Sequence, residues 1–194
     1  MPARLNLPNA LTWLRIILIP LIVLVFYVPH YWAAIPDHWA GPGAAIIFSL
    51  AGITDWLDGY FARKLNQTSA FGAFLDPVAD KLMISTALVL LVSHHPSFMV
   101  ALPAAVIIGR EIAVSALREW MSELGARRHV KVSGVGKYKT AAQMTALIMM
   151  LWEHKLWFIP MFEIGYALLL AAALLTLWSM WSYLRTAWPH LRGY

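Results

Sequence analysis

Six apolar stretches, five of them about as long as a lipid bilayer is thick, occupy most of this 194-residue sequence. A helix needs roughly 20 apolar residues to cross the hydrocarbon, and inside lipid only helices and closed barrels satisfy all their backbone polar groups. The fifth stretch is short, and we expect its helix to begin near Val135. The sequence therefore predicts an all-α integral membrane protein, a single domain over residues 1–194, with six transmembrane helices at 11–28, 43–61, 75–93, 98–120, 139–152 and 160–184.

The overall composition agrees with a membrane protein. Hydrophobic residues make up 60% of the chain, charged residues only 13%, and the mean hydropathy is +0.64. Cysteine is absent, which excludes disulfides and thiolate chemistry. Arg15 and Pro20 interrupt the first apolar stretch and no small-residue cleavage site closes it, so we expect a retained helix instead of a signal peptide.

The basic residues predict the orientation in the membrane. When the six helices alternate in direction, 14 of the 15 lysines and arginines fall on one side, and only Lys155 falls on the other. Short loops rich in Lys and Arg stay in the cytoplasm. Both termini are therefore expected in the cytoplasm, on a positive face that attracts anionic lipids and small anions. Because this charge follows from topology, we expect no nucleic-acid partner.

Four aspartates form a dense acidic group on the cytoplasmic side. Asp55 and Asp58 are three residues apart, and Asp76 and Asp80 are four apart, so each pair shares one helix face. Carboxylates near hydrocarbon are costly and repel one another unless cations neutralise them. Ligands that are all oxygen favour Mg²⁺, Mn²⁺ or Ca²⁺ over zinc. We therefore predict one or two divalent cations between two facing helix ends.

A second polar group is basic. Arg110 and Arg118 lie eight residues apart, so both point in the same direction from one helix. Arg110 lies within apolar sequence and needs a partner, either a carboxylate such as Glu111 or a bound phosphate. Lys137 and Lys139 stand where the next helix begins, a position that suits an anion. From spacing alone, the ordinary enrichment of basic residues on the cytoplasmic side is an open alternative for the lysines.

The acidic group carries a recognisable pattern. The pattern Asp-x2-Asp-Gly-x2-Ala-Arg-x8-Gly-x3-Asp-x3-Asp resembles the signature of the CDP-alcohol phosphotransferase family. All eight fixed positions are present: Asp55, Asp58, Gly59, Ala62, Arg63, Gly72, Asp76 and Asp80. Segments 6–15, 109–119 and 136–143 are similar to those of bacterial family members that make phosphatidylglycerophosphate.

The resemblance implies a reaction and a role for each residue. The donor is CDP-diacylglycerol, the acceptor is sn-glycerol 3-phosphate, and the products are phosphatidylglycerophosphate and CMP. Two Mg²⁺ or Mn²⁺ ions are implied on Asp55, Asp58, Asp76 and Asp80, with Asp80 also the general base, although Asp76 stays open for that role. The residues implied to bind CDP-diacylglycerol are Asn9, Thr12, Gly59, Ala62, Arg63 and Gly72. Those implied to bind the phosphate of the acceptor are Arg110, Arg118, Lys137 and Lys139.

The resemblance also implies a setting and leaves alternatives. It implies a homodimer among the lipids of the bacterial cytoplasmic (inner) membrane, with its active site facing the cytoplasm. Inositol phosphate also carries a phosphate for the basic group, so it stays open as an acceptor, as does another alcohol. A divalent-cation transporter and a non-catalytic lipid-binding scaffold are alternatives from other classes. The seven histidines show neither Glu-x-x-His nor His-x3-His spacing, so no zinc or di-iron site is expected.

Overall fold

Long runs of apolar residues fold into six α-helices in the part of the chain that the structure describes. The structure is a computed structural model that describes residues 7–32, 36–65, 70–123 and 135–191. A short 3₁₀ turn, Asp37–Trp39, precedes the second helix. The helices are α1 (Leu7–Tyr31), α2 (Ala40–Leu65), α3 (Ala70–His94), α4 (Phe98–Glu123), α5 (Val135–Trp152) and α6 (Met161–Leu191). Each corresponds to one predicted stretch, which confirms the all-α prediction, and α5 begins at Val135 as expected.

Four of the helices are long and apolar enough to cross a membrane. Their candidate spans are Ala10–Tyr31, Asp37–Tyr60, Phe98–Glu123 and Met161–Arg185. The other two helices differ in composition or length. Helix α3 carries Asp76, Asp80 and Lys81 in its first half, and α5 has only 18 residues.

The acidic group lies inside helices and not at their ends, which corrects the prediction of two facing helix ends. Helix α2 continues past Asp58 to Leu65, and α3 begins at Ala70, more than one turn before Asp76. Pro77 follows Asp76 within α3 and lacks the backbone N–H of a normal helical residue. The carboxylates therefore project from the flanks of helices, towards neighbouring helices.

Small residues let the helices approach one another closely. The most extensive pairings are α1 with α2 and α5 with α6, followed by α1 with α3, α2 with α5 and α4 with α6. Buried alanines, including Ala44, Ala87 and Ala146, lie among larger core side chains such as Phe48 and Leu147. Without a hydrophobic driving force between helices in lipid, close van der Waals packing of this kind holds a bundle together.

Gly41 lies where α2 approaches α5 closely. A Cβ atom at Gly41 would lie 2.5 Å from the backbone oxygen of Leu151, which cannot move without the helix. We expect Gly41→Ala to lower the free energy of unfolding by about 1–3 kcal/mol, the usual cost of overpacking. Thermal unfolding in detergent measures the change. Gly109→Ala is the matched control, because a Cβ there meets no atom within 4 Å. Equal stability of the two variants would contradict this packing.

The two ends of the bundle carry different groups. At the end that we call the site end, Thr12 of α1 meets α3 and Lys139 of α5 meets α4. At the opposite end, which we call the far end, Tyr27 of α1 and Ser93 of α3 share a hydrogen bond of 2.7 Å. The turns between α3 and α4 and between α5 and α6 also lie at the far end, where Glu153 contacts His94. Successive helices therefore run in alternate directions between the same two ends.

Candidate active site

Arg15 links two of the four aspartates. Its Nη1 atom lies 2.8 Å from Oδ1 of Asp55, and its Nη2 atom donates a 2.5 Å hydrogen bond to Oδ2 of Asp58. Arg15 is 1% exposed and Asp58 is 5% exposed, whereas 45% of the Asp55 side chain is exposed. Because a buried charge without a partner is costly, Arg15 and Asp58 depend on each other. The sequence alone predicted no role for Arg15 at the site. A charged residue inside an apolar helix is nevertheless a common sign of a functional site.

Helix α3 supplies the other two aspartates. The hydroxyl of Thr12 donates a 2.6 Å hydrogen bond to Oδ1 of Asp76. The charges of Asp55 and Asp76 both act on Asp58, and the charge of Asp55 acts on Asp80. Three helices, α1, α2 and α3, therefore assemble the four acids into one electrostatic unit.

The donor chemistry of this unit fits a hard divalent cation. Its ligand atoms are all carboxylate oxygens, which Mg²⁺ and Mn²⁺ prefer. Within the residues that the structure describes, no three of the aspartates bring carboxylate oxygens within 4.8 Å of one another. Instead, the guanidinium of Arg15 bridges Asp55 and Asp58. A cation on these two carboxylates would therefore share them with Arg15 or take its place.

A cavity of about 620 Å³ joins the acidic group to the basic group. Asp55 and Asp80 line it on the acidic side, and Arg110, Arg118 and Lys139 line it on the basic side. Helices α2 to α6 all contribute to its walls. The volume is typical of sites that bind small molecules. Two groups that are far apart in sequence thus face one another across a single space.

Glu111 is the counter-ion of the basic group. Its Oε1 atom accepts hydrogen bonds from Nη1 of Arg110 at 2.6 Å and from Nζ of Lys139 at 3.1 Å. The Nη2 atom of Arg110 donates a 2.9 Å hydrogen bond to the hydroxyl of Ser179 on α6. One carboxylate therefore serves two cations, and the local charge stays positive. Such a pocket attracts an anion, and the guanidinium matches phosphate oxygens well.

Three residues that had no predicted role complete the basic side of the cavity: Gln143, Ser179 and Tyr183. Arg118 donates a 3.0 Å hydrogen bond to the hydroxyl of Tyr183 and lies 5.3 Å from the centre of its ring. Gln143 is buried, and its side-chain nitrogen has no hydrogen-bond partner among the described residues. Gln143 belongs to segment 136–143, which resembles the family, and this resemblance could have indicated a role for it. Tyr183 and Ser179 lie on α6, where no sequence motif pointed to them.

The residues predicted to bind the nucleotide lie beside the aspartates. Thr12 contacts Asp76, Gly59 directly follows Asp58, and Gly72 is buried near the start of α3. None of these three is among the described residues that line the 620 Å³ cavity. Four predicted site residues lie in helices, but their side chains fall outside those that the structure describes: Asn9, Ala62, Arg63 and Lys137.

Comparisons with known proteins identify a family and several relatives of this chain. Residues 5–178 match the family model described as CDP-alcohol phosphatidyltransferase. A protein of Pseudomonas fluorescens is 53% identical over 193 residues, which cover 97% of this chain and 93% of the relative. Proteins of Escherichia coli strain K12 and Shigella flexneri serotype 5b are each 52% identical over 184 residues, covering 95% of this chain and 96% of the relative. All three relatives are named CDP-diacylglycerol–glycerol-3-phosphate 3-phosphatidyltransferase.

Proposed function

This chain belongs to the CDP-alcohol phosphatidyltransferase family, and we propose that it transfers the phosphatidyl group of CDP-diacylglycerol to sn-glycerol 3-phosphate. The products are phosphatidylglycerophosphate and CMP, and the protein is a transferase of phospholipid synthesis. The observation that carries this function is the cavity with aspartates on one wall and arginines and a lysine on the other. A diphosphate with its cations fits the first wall, and the phosphate of the acceptor fits the second.

We assign the divalent cations to the four aspartates. Asp55, Asp58, Asp76 and Asp80 would hold two Mg²⁺ or Mn²⁺ ions, because their oxygens are the ligands that these ions prefer. The bound ions would neutralise the diphosphate of the donor and the charge that develops on CMP as it leaves. Thr12, Gly59 and Gly72 adjoin these aspartates, and we assign the nucleotide to this side together with Asn9, Ala62 and Arg63.

Asp80 is the proposed general base. The hydroxyl oxygen of the acceptor forms a bond to the lipid-side phosphorus, and the bond between that phosphorus and the CMP oxygen breaks. The hydroxyl proton passes to the carboxylate of Asp80, which lines the cavity. Asp76 suits this role less well, because its Oδ1 atom already accepts a hydrogen bond from Thr12.

The basic wall is the proposed site for the phosphate of the acceptor. Arg110 and Lys139 share Glu111 as their only common carboxylate among the described residues, so their combined positive charge exceeds its negative charge. Arg118 adds a third cation to the cavity wall. Lys137 lies two residues before Lys139 on α5 and completes the proposed set. Acceptors without a phosphate, such as serine or ethanolamine, have no use for this group.

Lys139→Gln tests the acceptor assignment. We expect the variant to raise the KM for glycerol 3-phosphate about 10- to 100-fold, because a hydrogen bond between charged groups contributes roughly 1.5–3 kcal/mol. The KM for CDP-diacylglycerol should stay unchanged. Both constants come from the rate of CMP release. Lys155→Gln is the matched control, because Lys155 is an exposed lysine at the far end. Equal increases in both KM values would oppose a role at the acceptor phosphate.

The proposal also includes six membrane crossings and an orientation. Four helices qualify as spans by length and composition, and α3 and α5 run beside them between the same two ends. We therefore propose that α3 and α5 also cross the bilayer, with the site end and both termini in the cytoplasm of a bacterial cell, at the inner membrane. The exposed apolar residues Leu174, Trp178 and Trp181 on α6 face lipid or a second copy. The homodimer stays a prediction, which cross-linking in membranes tests.

CMP release by the purified protein tests the function directly. Detergent micelles would contain CDP-diacylglycerol and Mg²⁺, and each acceptor would be added separately. We expect release with glycerol 3-phosphate and a loss of release when a chelator removes the cation. Release only with inositol phosphate or an unphosphorylated alcohol would keep the family chemistry and reject the acceptor. A folded protein that releases no CMP with any acceptor would support a transporter or scaffold instead.

A further inference from the structure

A second group of metal-ligand side chains lies at the far end of the bundle. His94 ends α3, His95 follows it, and Glu153 follows the last residue of α5. The Nε2 atom of His94 lies 3.2 Å from Oε2 of Glu153, and the Nε2 atom of His95 lies 3.2 Å from Oε1. Ligand atoms from all three side chains lie within 4.8 Å of one another. Among the described residues, no other three His, Asp or Glu side chains are grouped so tightly.

The nitrogen of His95 is poorly satisfied by the protein. Its Nε2 atom is buried and makes no hydrogen bond with any described residue, although a carboxylate oxygen lies 3.2 Å away. A buried polar atom that makes no hydrogen bond with the protein is rare, and such a position commonly binds an ion or a water molecule.

Aromatic packing holds both imidazoles in place. The ring centres of His95 and Phe162 lie 4.5 Å apart, and those of His94 and Phe26 lie 5.4 Å apart. The two imidazoles stand nearly perpendicular, at 82°, with their centres 4.8 Å apart. Ligands that are already fixed by packing lose little freedom when they bind an ion. The arrangement is therefore suited to binding before any ion arrives.

We propose that His94, His95 and Glu153 form a binding site for a divalent transition metal, with Zn²⁺ as the ion that fits best. Two imidazole nitrogens and one carboxylate oxygen match zinc sites that leave a fourth position to water or a small ligand. A cavity of about 340 Å³ lined by His94, His95 and Ser97 provides room for that position. Mixed nitrogen and oxygen ligands distinguish this site from the aspartates, which offer oxygen alone.

The proposed zinc site lies far from the active site, and an ion bound there would have a different effect on the protein. His94 lies about 21 Å along α3 from Asp80, at 1.5 Å per residue. A metal here would join the turn between α3 and α4 to the turn between α5 and α6. Its expected effect is therefore on the stability of the far end and not on the chemistry. In the proposed orientation, which this step alone assumes, the ion would come from outside the cytoplasmic membrane.

Zinc titration of the full-length protein tests the proposal. The protein in detergent would be stripped with a chelator, returned to excess Mg²⁺ so that the aspartates are supplied, and titrated with Zn²⁺ by calorimetry. We expect one Zn²⁺ per chain, and an affinity at least about tenfold lower in His94→Gln and in Glu153→Gln. Zn²⁺ should also raise the unfolding temperature of the unmodified protein and not that of these variants. His154→Gln is the control, because His154 is exposed and adjacent to Glu153.

Two results would overturn the proposal. One is an unchanged Zn²⁺ affinity in both ligand variants. The other is a loss of affinity in His154→Gln as large as in the ligand variants, which would indicate binding by scattered surface histidines. CMP release with Mg²⁺ reports whether each variant is folded, since none of the substituted residues lies in the active site. If one ligand variant fails to fold, the other decides the question.

Discussion

Asp80→Asn is expected to lower the rate of CMP release by about 10²- to 10⁴-fold, the usual contribution of a positioned general base. Asparagine keeps the size and one oxygen of the side chain but cannot take the proton of the acceptor hydroxyl. Steady-state kinetics at saturating donor and acceptor measure the loss. Asp37→Asn is the matched control, because Asp37 is an exposed aspartate in the turn before α2, away from the site.

The same substitution at Asp76 separates the base from a cation ligand. If Asp80 is the base, extra Mg²⁺ should restore little activity to Asp80→Asn. Asp76→Asn should recover more with extra Mg²⁺, because weakened binding of the cation is its main defect. The opposite pattern of rescue would transfer the role of base to Asp76. Isothermal titration with Mn²⁺ would show directly which variant has lost affinity for the cation.

Arg15→Met is expected to destabilise the protein in the absence of divalent cations. Breaking a buried ion pair by removing one partner typically costs about 3–5 kcal/mol, since the remaining charge is left buried. Most of that cost should come from Asp58, which is buried, because water screens the more exposed Asp55. Thermal unfolding in a chelator measures the change, and Arg185→Met, at an exposed arginine of α6, is the control.

Adding Mg²⁺ to the Arg15→Met variant tests the same ion pair in a second way. A cation on Asp55 and Asp58 would replace the charge that the variant lacks, so Mg²⁺ should stabilise Arg15→Met more than it stabilises the unmodified protein. A variant as stable as the Arg185 control, with the same response to Mg²⁺, would mean that Arg15 does not hold the two aspartates together.

The helices and the four aspartates could be predicted because both signals are local. Apolar runs predicted the six helices, and the spacing of Asp55 with Asp58 and of Asp76 with Asp80 predicted that each pair shares one face. The helix ends were less predictable. The predicted stretch began at Leu75, whereas α3 begins at Ala70 and so includes Gly72, a weak helix former.

The partners of the charged residues could not be predicted, because packing between distant segments selects them. Arg15 meets Asp58 across 43 residues, and Lys139 meets Glu111 across 28. The same limit applies at the far end. His94 and His95 have no ligand at helical spacing, and Glu153 reaches them only because α5 ends where α3 ends. Local spacing predicts which residues share a face, but not which faces meet.

Glu111 would give the proposed phosphate site a selectivity that positive charge alone would not supply. Its carboxylate is tethered between Arg110 and Lys139, so it acts as a competitor that is always present at high local concentration. Chloride, with a single charge and no directional oxygens, gains little by displacing it. A phosphate dianion offers more charge and more acceptor oxygens to the same two donors. An anion that binds at the proposed site would therefore have to compete with Glu111 for its two donors, Arg110 and Lys139.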